Sequence, residues 1–118
     1  MSPFAAFIAP SETHAIAAGE SIFREGDGAD GRMYALLSGS VELVRQGRVL
    51  ELVSEGGVFG ELALIDSLPR SATALAKSDA QVAVISEERF RELILRNPSF
   101  AVEIMRLLTR RIRANLER

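Results

Sequence analysis

The residues best suited to chemistry lie close together, in the stretch formed by residues 59–74. Glu61 and Arg70 stand nine residues apart in it, one a carboxylate and the other a guanidinium. A guanidinium can grip two phosphate oxygens at once, whereas a carboxylate accepts hydrogen bonds and repels phosphate. The pair therefore fits a ligand that carries both an anionic phosphate and hydroxyl donors, such as a sugar phosphate. The alternative is an ordinary surface ion pair without a ligand.

The backbone around this pair is suited to the close approach of a phosphate. Gly60 can adopt conformations that other residues avoid, and residues 61–64 are predicted to form a single helical turn. The first N–H groups of such a turn have no partner within it, so they are available to an anion. Pro69 restricts the backbone just before the arginine. Room for a ligand is left by small side chains at Ala63, Ser71 and Ala72.

Few other side chains in the sequence favour catalysis or metal binding. His14 is the single histidine and there is no cysteine, so no thiolate metal site and no nucleophile with an oriented base is predicted. Asp27 and Asp30 lie in a glycine-rich stretch whose spacing does not match a calcium-binding loop, so they are predicted to be turn residues. We therefore expect no enzymatic activity.

Composition limits the class of protein. The chain has 118 residues, of which 47% are hydrophobic and 25% charged, as expected for one globular domain. Its net charge of -2 gives no overall attraction to nucleic acid. The lack of cysteine, of a signal peptide and of a spanning apolar stretch favours a cytoplasmic location without membrane contact.

Antiparallel strands are predicted for residues 19–85. Glycine-containing turns recur there at short spacing, which is typical of sandwiches and barrels. Alternation of polar and apolar residues predicts a hairpin from strands at 40–44 and 49–53, and a further strand at 81–85. The preceding residues, 1–18, have a helical composition broken by Pro10 and are predicted to form a short helix packed on the strands.

Two helices are predicted after residue 85. Ser86 is a candidate N-cap of the first, and the second begins at Pro98 behind the N-cap Asn97. Arg110, Arg111 and Arg113 are predicted to be solvated or paired with acidic neighbours. An apolar stripe at four-residue steps, with Met105 beside it, is formed by Ile104, Leu108, Ile112 and Leu116. Its cover is either the domain's own strands or the same helix of a second copy, which would make a homodimer.

Two sequence segments, FGELAL at 59–64 and PRSAT at 69–73, resemble the phosphate-binding cassette of the cyclic nucleotide-binding domains. That family includes bacterial catabolite activators and the regulatory subunits of protein kinase A. Residues 19–20, 23–27 and 37–41 also resemble the family's framework. The resemblance implies a mainly β fold, an antiparallel β jelly-roll barrel with flanking helices. It would form one domain over 1–118, with an N-terminal segment at 1–18, a β-roll at 19–85 that holds the cassette at 59–74, and C-terminal helices at 86–118.

The resemblance also implies roles for individual residues. Glu61 would hold the ribose 2′-hydroxyl of the ligand, and Arg70 would pair with its cyclic phosphate. Ser71 after that arginine favours cyclic AMP as the ligand, with cyclic GMP less favoured. Asn115 would contact the base, and its alternative, an exposed helix asparagine, has equal weight. The full set of predicted ligand-binding residues is Phe59, Gly60, Glu61, Leu62, Ala63, Pro69, Arg70, Ser71, Ala72 and Asn115.

Two functions remain open at this point. The first is a regulatory sensor that binds a cyclic nucleotide and repositions its terminal helix, which signals occupancy to a partner or a second copy. The alternative is the ligand-binding part of a catabolite-activator-type transcription regulator, or of a larger channel or kinase. No helix-turn-helix is predicted up to Arg118, so we expect no direct nucleic-acid binding by this chain.

Overall fold

A computed structural model describes Phe4 and residues 12–116. The strands are β1 (Thr13–Ile16), β2 (Ser21–Phe23), β3 (Arg32–Ser38), β4 (Val41–Arg45), β5 (Arg48–Val53), β6 (Val58–Phe59), β7 (Thr73–Ala76) and β8 (Ala80–Ser86). The helices are α1 (Leu62–Ile65), α2 (Glu87–Arg96) and α3 (Pro98–Leu116).

The strands form two antiparallel sheets of four strands each, ordered β1-β8-β3-β6 and β2-β7-β4-β5. The chain crosses repeatedly from one sheet to the other, so apolar side chains of both sheets meet in one core. Aromatic rings are central to it: the ring centroids of Tyr34 and Phe59 lie 5.5 Å apart, and Phe23 packs 6.0 Å from Phe59. The predicted fold class, a mainly β jelly roll with C-terminal helices, is confirmed.

Strand β3 is buried on both faces, which explains how the helices attach. Tyr34 and Leu36 belong to the core between the sheets, whereas Met33 and Ala35 pack in a second cluster with α2 and α3. Successive side chains of a strand point to opposite faces, so one strand serves both clusters. The β-roll and the helices are therefore one packed unit.

The predicted hairpin is present as β4 and β5. Arg45 pairs with Arg48, so Gln46 and Gly47 form a two-residue loop. Both loop residues have positive φ, at 51° and 76°, which is the conformation that matches the twist of antiparallel strands in a type I′ turn. The strand predicted at 81–85 is also present, as β8.

The N-terminal prediction needs a correction. Thr13–Ile16 is the strand β1, which pairs with β8 from Ala80 to Ala83, so the prediction of a helix is wrong there. The edge of the sheet offers this segment a ladder of hydrogen bonds, and tertiary pairing outweighs weak helical composition. The β-roll therefore begins before residue 19. Residues 1–3 and 5–11 of the predicted helix lie outside the described residues.

The two C-terminal helices begin where the sequence predicts. Ser86 accepts a hydrogen bond from the Arg89 N–H at 3.1 Å as the N-cap of α2, and Pro98 occupies the first position of α3. Among the helices of the described residues, none combines the length and apolar character that crossing a bilayer requires.

The apolar stripe predicted on α3 is only partly correct. Phe100, Ile104 and Leu107 are the buried residues of the helix, whereas Ile112 and Leu116 are 60% and 79% exposed. Each four-residue step advances about 40° beyond a full turn, so a stripe at this spacing winds around the helix and leaves its inner face. The described strands therefore do not cover the last two stripe residues.

Candidate functional site

A cavity of about 320 Å³ lies between the 59–74 segment, strands β4 and β5, and the C-terminal end of α3. This volume is at the lower end of the range of roughly 300–1,000 Å³ that is usual for small-ligand sites. Its lining combines the charged side chains of Glu61, Arg70 and Arg111 with apolar side chains such as Leu43 and Leu50. The cavity thus suits a ligand with one polar and one apolar part.

Gly60 lets the chain turn tightly into the cavity. Its φ is +83°, and an added Cβ atom would lie 2.9 Å from Arg70 Nη1 and 3.2 Å from the ring of Phe23. A side chain here would therefore be strained and would push against the guanidinium. Helix α1 follows at once, and the N–H groups of Leu64 and Ile65 donate to the Glu61 carbonyl. The N–H groups of Leu62 and Ala63 come before these first bonds of the turn, as at any helix start.

Arg70 is buried, with its side chain only 3% exposed, and several contacts hold its guanidinium in place. Nη1 donates to the Gly60 carbonyl at 2.9 Å, and Nη2 donates to the Arg32 carbonyl at 2.8 Å and to Asp30 Oδ1 at 2.7 Å. The guanidinium carbon lies 4.1 Å from the centroid of the Phe23 ring, a cation–π contact. The ion pair with Asp30 offsets the cost of burying the charge.

Glu61 is a buried carboxylate, 1% exposed, at the start of α1. Its Oε1 accepts a short hydrogen bond from Nη1 of Arg111 on α3, and not from Arg70. The surface ion pair between Glu61 and Arg70, which the sequence left open, is therefore absent from the ion pairs of residues 12–116. Each of the two groups instead has its own partner of opposite charge.

Arg111 connects the last helix to the β-roll. It donates to both oxygens of Glu51 on β5, at 2.8 and 3.0 Å, and to the Val58 carbonyl at 2.9 Å, in addition to Glu61. Burial lowers the pKa of Arg111, but the hydrogen bonds with Glu51 and the charges of both glutamates outweigh it, so the net shift of the pKa is upward. The residue therefore stays cationic.

One donor and one acceptor at this cavity lack partners. Glu61 Oε2 and Arg70 Nε are both buried, and neither makes a hydrogen bond with any residue that the structure describes. Leaving such a group unsatisfied typically costs about 1–3 kcal/mol. A ligand with a hydroxyl donor and an anionic acceptor would satisfy both atoms.

Nine of the ten predicted ligand-binding residues line the cavity: Gly60, Glu61, Leu62, Ala63, Pro69, Arg70, Ser71, Ala72 and Asn115. Phe59 is the exception. It is 0% exposed and packs between Phe23 and Tyr34, so it supports the wall of the cavity from behind. It does not line the cavity. Whether any of the ten residues contacts a ligand remains a prediction.

The sequence reasoning missed several residues of this site. Arg111 was predicted to be solvated or paired with acidic neighbours, and it is paired with Glu51 and Glu61. Its place at the cavity was missed, although it continues the buried face of α3 one turn beyond Leu107 and Leu108, and this spacing was the available signal. Asp30, expected to be a turn residue, is the ion-pair partner of Arg70. No local sequence pattern indicated that Glu51 lines the cavity. His14 is exposed and lies 2.8 Å from Glu12, away from the cavity.

The fold and the site together define a class of protein. A small cavity in a β-roll, lined by a fixed guanidinium, a carboxylate with one free oxygen and the start of a short helix, defines a small-ligand-binding domain. The chain belongs to the cyclic nucleotide-binding domain family, because the family model of the cyclic nucleotide-binding domain matches residues 13–97.

Two groups of relatives agree with this assignment. The chain is 39% identical over 105 residues to the cyclic AMP receptor protein of Thermus thermophilus, covering 84% of this chain and 48% of the relative. It is also 39% identical over 79 residues to a cAMP-dependent protein kinase regulatory subunit of Emericella nidulans, covering 65% of this chain and 19% of the relative.

A solved structure supports the same likeness. The crystal structure of the Thermus thermophilus catabolite activator protein superposes with a TM-score of 0.80 at 37% identity, covering 90% of this chain and 52% of that one. The chain thus spans about half the length of these bacterial relatives.

Proposed function

We propose that this chain is a regulatory sensor domain that binds cyclic AMP in the cavity and catalyses no reaction. The observation that carries the proposal is the pair of unpartnered buried atoms, Glu61 Oε2 and Arg70 Nε. A cyclic nucleotide offers a hydroxyl to the first and an anionic phosphate oxygen to the second. Metabolites with only one of these groups would leave one of the two atoms unsatisfied.

The rest of the cavity supports a nucleotide as the occupant. The apolar side chains Leu43, Leu50 and Leu68 offer a surface for the flat face of a base, and Asn115 offers hydrogen bonds for its edge. Adenine is our preferred base, because Ser71 follows the arginine and both bacterial and fungal relatives carry cyclic AMP in their names. Cyclic GMP is the less favoured ligand.

The signal would leave through α3. Arg111 joins this helix to Oε1 of Glu61, whose other oxygen is proposed to receive the ribose, so the helix and the ligand share one carboxylate. A ligand shifts a conformational equilibrium only through a difference in its affinity for the two states. We infer that Arg111 supplies such a difference, because the carboxylate that it contacts also receives the ligand.

A second copy of this chain is the proposed partner of α3. Val102, Met105 and Ile112 are between 41% and 60% exposed, and Leu116 continues the series. Their spacing of three, seven and four residues is that of a coiled-coil seam. The similarity to the Thermus thermophilus cyclic AMP receptor protein supports a ligand-binding part of a catabolite-activator-type regulator as the wider context. The lack of cysteine in the sequence supports a cytoplasmic location.

Titration calorimetry with cyclic AMP and cyclic GMP in parallel tests this function. We expect saturable binding of cyclic AMP at one site per chain, and weaker binding of cyclic GMP. Glu61→Gln is the test variant, since it keeps the shape of the side chain but removes its charge. It should weaken binding of cyclic AMP by roughly ten- to a hundredfold. Absence of binding by the wild-type chain to either nucleotide would contradict the proposal. Sedimentation of the same samples shows whether the chain is a dimer.

A further inference from the structure

One arginine in this site is shared by two carboxylates. Arg111 donates from Nε and Nη2 to the two oxygens of Glu51, and from Nη1 to Glu61. With the Val58 carbonyl as a further acceptor, four of the five guanidinium N–H groups are used. Arg111 therefore has little donor capacity left for a bound anion.

The charges of this cluster oppose an anionic ligand. Glu51, Glu61 and Arg111 together carry a net charge of -1, counted from two carboxylates and one guanidinium, and all three line the cavity. A cyclic nucleotide brings one more negative charge to the same space. Glu61 has a free oxygen that can accept a hydrogen bond from the ligand, whereas both oxygens of Glu51 accept hydrogen bonds from Arg111.

The same contacts fasten the end of α3. Every residue of 109–116 is exposed except Arg111, whose side chain is 17% exposed. The hydrogen bond of Thr109 in this part goes back to Met105 within the helix. The bonds of Arg111, half of them to Glu51, are thus the main polar attachment of the last two turns to the β-roll.

We propose that Glu51 is a positioning residue that holds Arg111 and the end of α3 against the β-roll, and that its charge opposes the binding of an anionic nucleotide. The inference rests on the proposed function, since it assigns that site an affinity-lowering device. Glu51 adds a negative charge to the cavity lining while both of its oxygens are bonded to Arg111 in a fork-shaped ion pair, so it opposes an anionic ligand without offering it a contact. The end of α3 is thereby coupled to occupancy of the cavity, because Arg111 contacts both Glu51 and Glu61, and Glu61 is the carboxylate proposed to receive the ligand.

Glu51→Gln in the full chain tests this role, with Glu55→Gln as its matched control. Glutamine keeps the length of the side chain but removes the charge, and Glu55 is an exposed carboxylate of a nearby turn that does not line the cavity. We expect Glu51→Gln to bind cyclic AMP about tenfold more tightly than the wild type, with a smaller gain at high salt. Glu55→Gln should leave the affinity within twofold.

A second readout tests the attachment without any ligand. Amide hydrogen exchange across residues 109–116 should be faster in Glu51→Gln than in the wild type, and unchanged in Glu55→Gln. Glu51→Asp keeps the charge but has a shorter reach, so exchange should also rise while the gain in affinity is smaller. This variant separates the tether from the charge.

The outcomes distinguish this inference from the proposed function. Wild-type binding with equal or weaker binding by Glu51→Gln would overturn the role of Glu51 and leave the sensor intact. Unchanged exchange in 109–116 would likewise overturn the attachment. Failure of the wild type to bind either cyclic nucleotide would overturn the proposed function, and with it the effect of Glu51 on nucleotide binding.

Discussion

The two arginines of the cavity differ in what holds them. Arg70 is fixed by two backbone carbonyls, by Asp30 and by the Phe23 ring, all within the β-roll. Arg111 comes from a helix and is held by two carboxylates, one of which is 33% exposed. The first arrangement changes little unless the roll itself deforms, while the second can exchange its partners. One arginine is therefore suited to anchoring a ligand and the other to reporting its presence.

This difference explains how a small domain can both bind and signal. A preorganised donor costs little conformational entropy when the ligand arrives, so it contributes fully to affinity. A guanidinium that shares a carboxylate with the ligand contributes less affinity but ties a helix to the bound state. Substitutions at Arg70 should therefore act on binding, and those at Arg111 mainly on coupling.

Arg70→Ala should have the largest effect. It removes a charge-assisted contact worth about 1.5–3 kcal/mol and the bonds that shape the turn at Gly60, so affinity for cyclic AMP should fall by about a hundredfold and micromolar binding should be lost. Calorimetry measures this loss, with Arg70→Lys as the charge-keeping control. Circular dichroism verifies that the roll is folded. An unchanged affinity would remove Arg70 from the role of anchor.

Arg111→Ala should have a smaller effect on binding and a larger one on α3. It leaves Glu51 and Glu61 without their shared cation beside the incoming phosphate, so affinity should fall by about tenfold. The more specific result is that NMR resonances of residues 98–116 should no longer shift on adding cyclic AMP. Arg111→Lys, which keeps the charge but cannot form a fork, should lie between wild type and alanine. A full ligand-induced shift in Arg111→Ala would contradict its role as reporter.

Asn115→Ala should have the smallest effect. Asn115 is exposed near the end of α3, although it lines the cavity, and one exposed hydrogen bond contributes about 0.5–1.5 kcal/mol, or a few-fold in affinity. The loss should be greater for cyclic AMP than for cyclic GMP if the amide contacts adenine. Equal affinities of the variant and the wild type for cyclic AMP would leave Asn115 as an ordinary helix residue.

The sequence was most informative where neighbours in the chain are neighbours in space. Nine of the predicted site residues line the cavity, and eight of them lie within 60–72, a contiguous loop and turn. Arg111 lies 50 residues from Glu61 and 60 from Glu51, and no local pattern links side chains so far apart. Their meeting depends on how α3 packs, which the tertiary contacts of Phe100 and Ile104 decide.

The errors in predicting β1 and the stripe on α3 also come from tertiary structure that no local pattern encodes. The hairpin and the start of α3 follow from turn and cap residues, which act locally. The four residues of β1 have no such signal, and only their pairing with β8 makes them a strand. On α3, a four-residue repeat described a stripe that the geometry of the helix rotates away from the β-roll.

The central claim is that one cavity holds a cyclic nucleotide between Arg70 and Glu61. A crystal structure of the chain grown with cyclic AMP tests it most directly. We predict a phosphate oxygen within about 3 Å of Arg70 Nε and a ribose hydroxyl within about 3 Å of Glu61 Oε2, as expected for hydrogen bonds. A nucleotide bound elsewhere, with both atoms still unpartnered, would contradict the account.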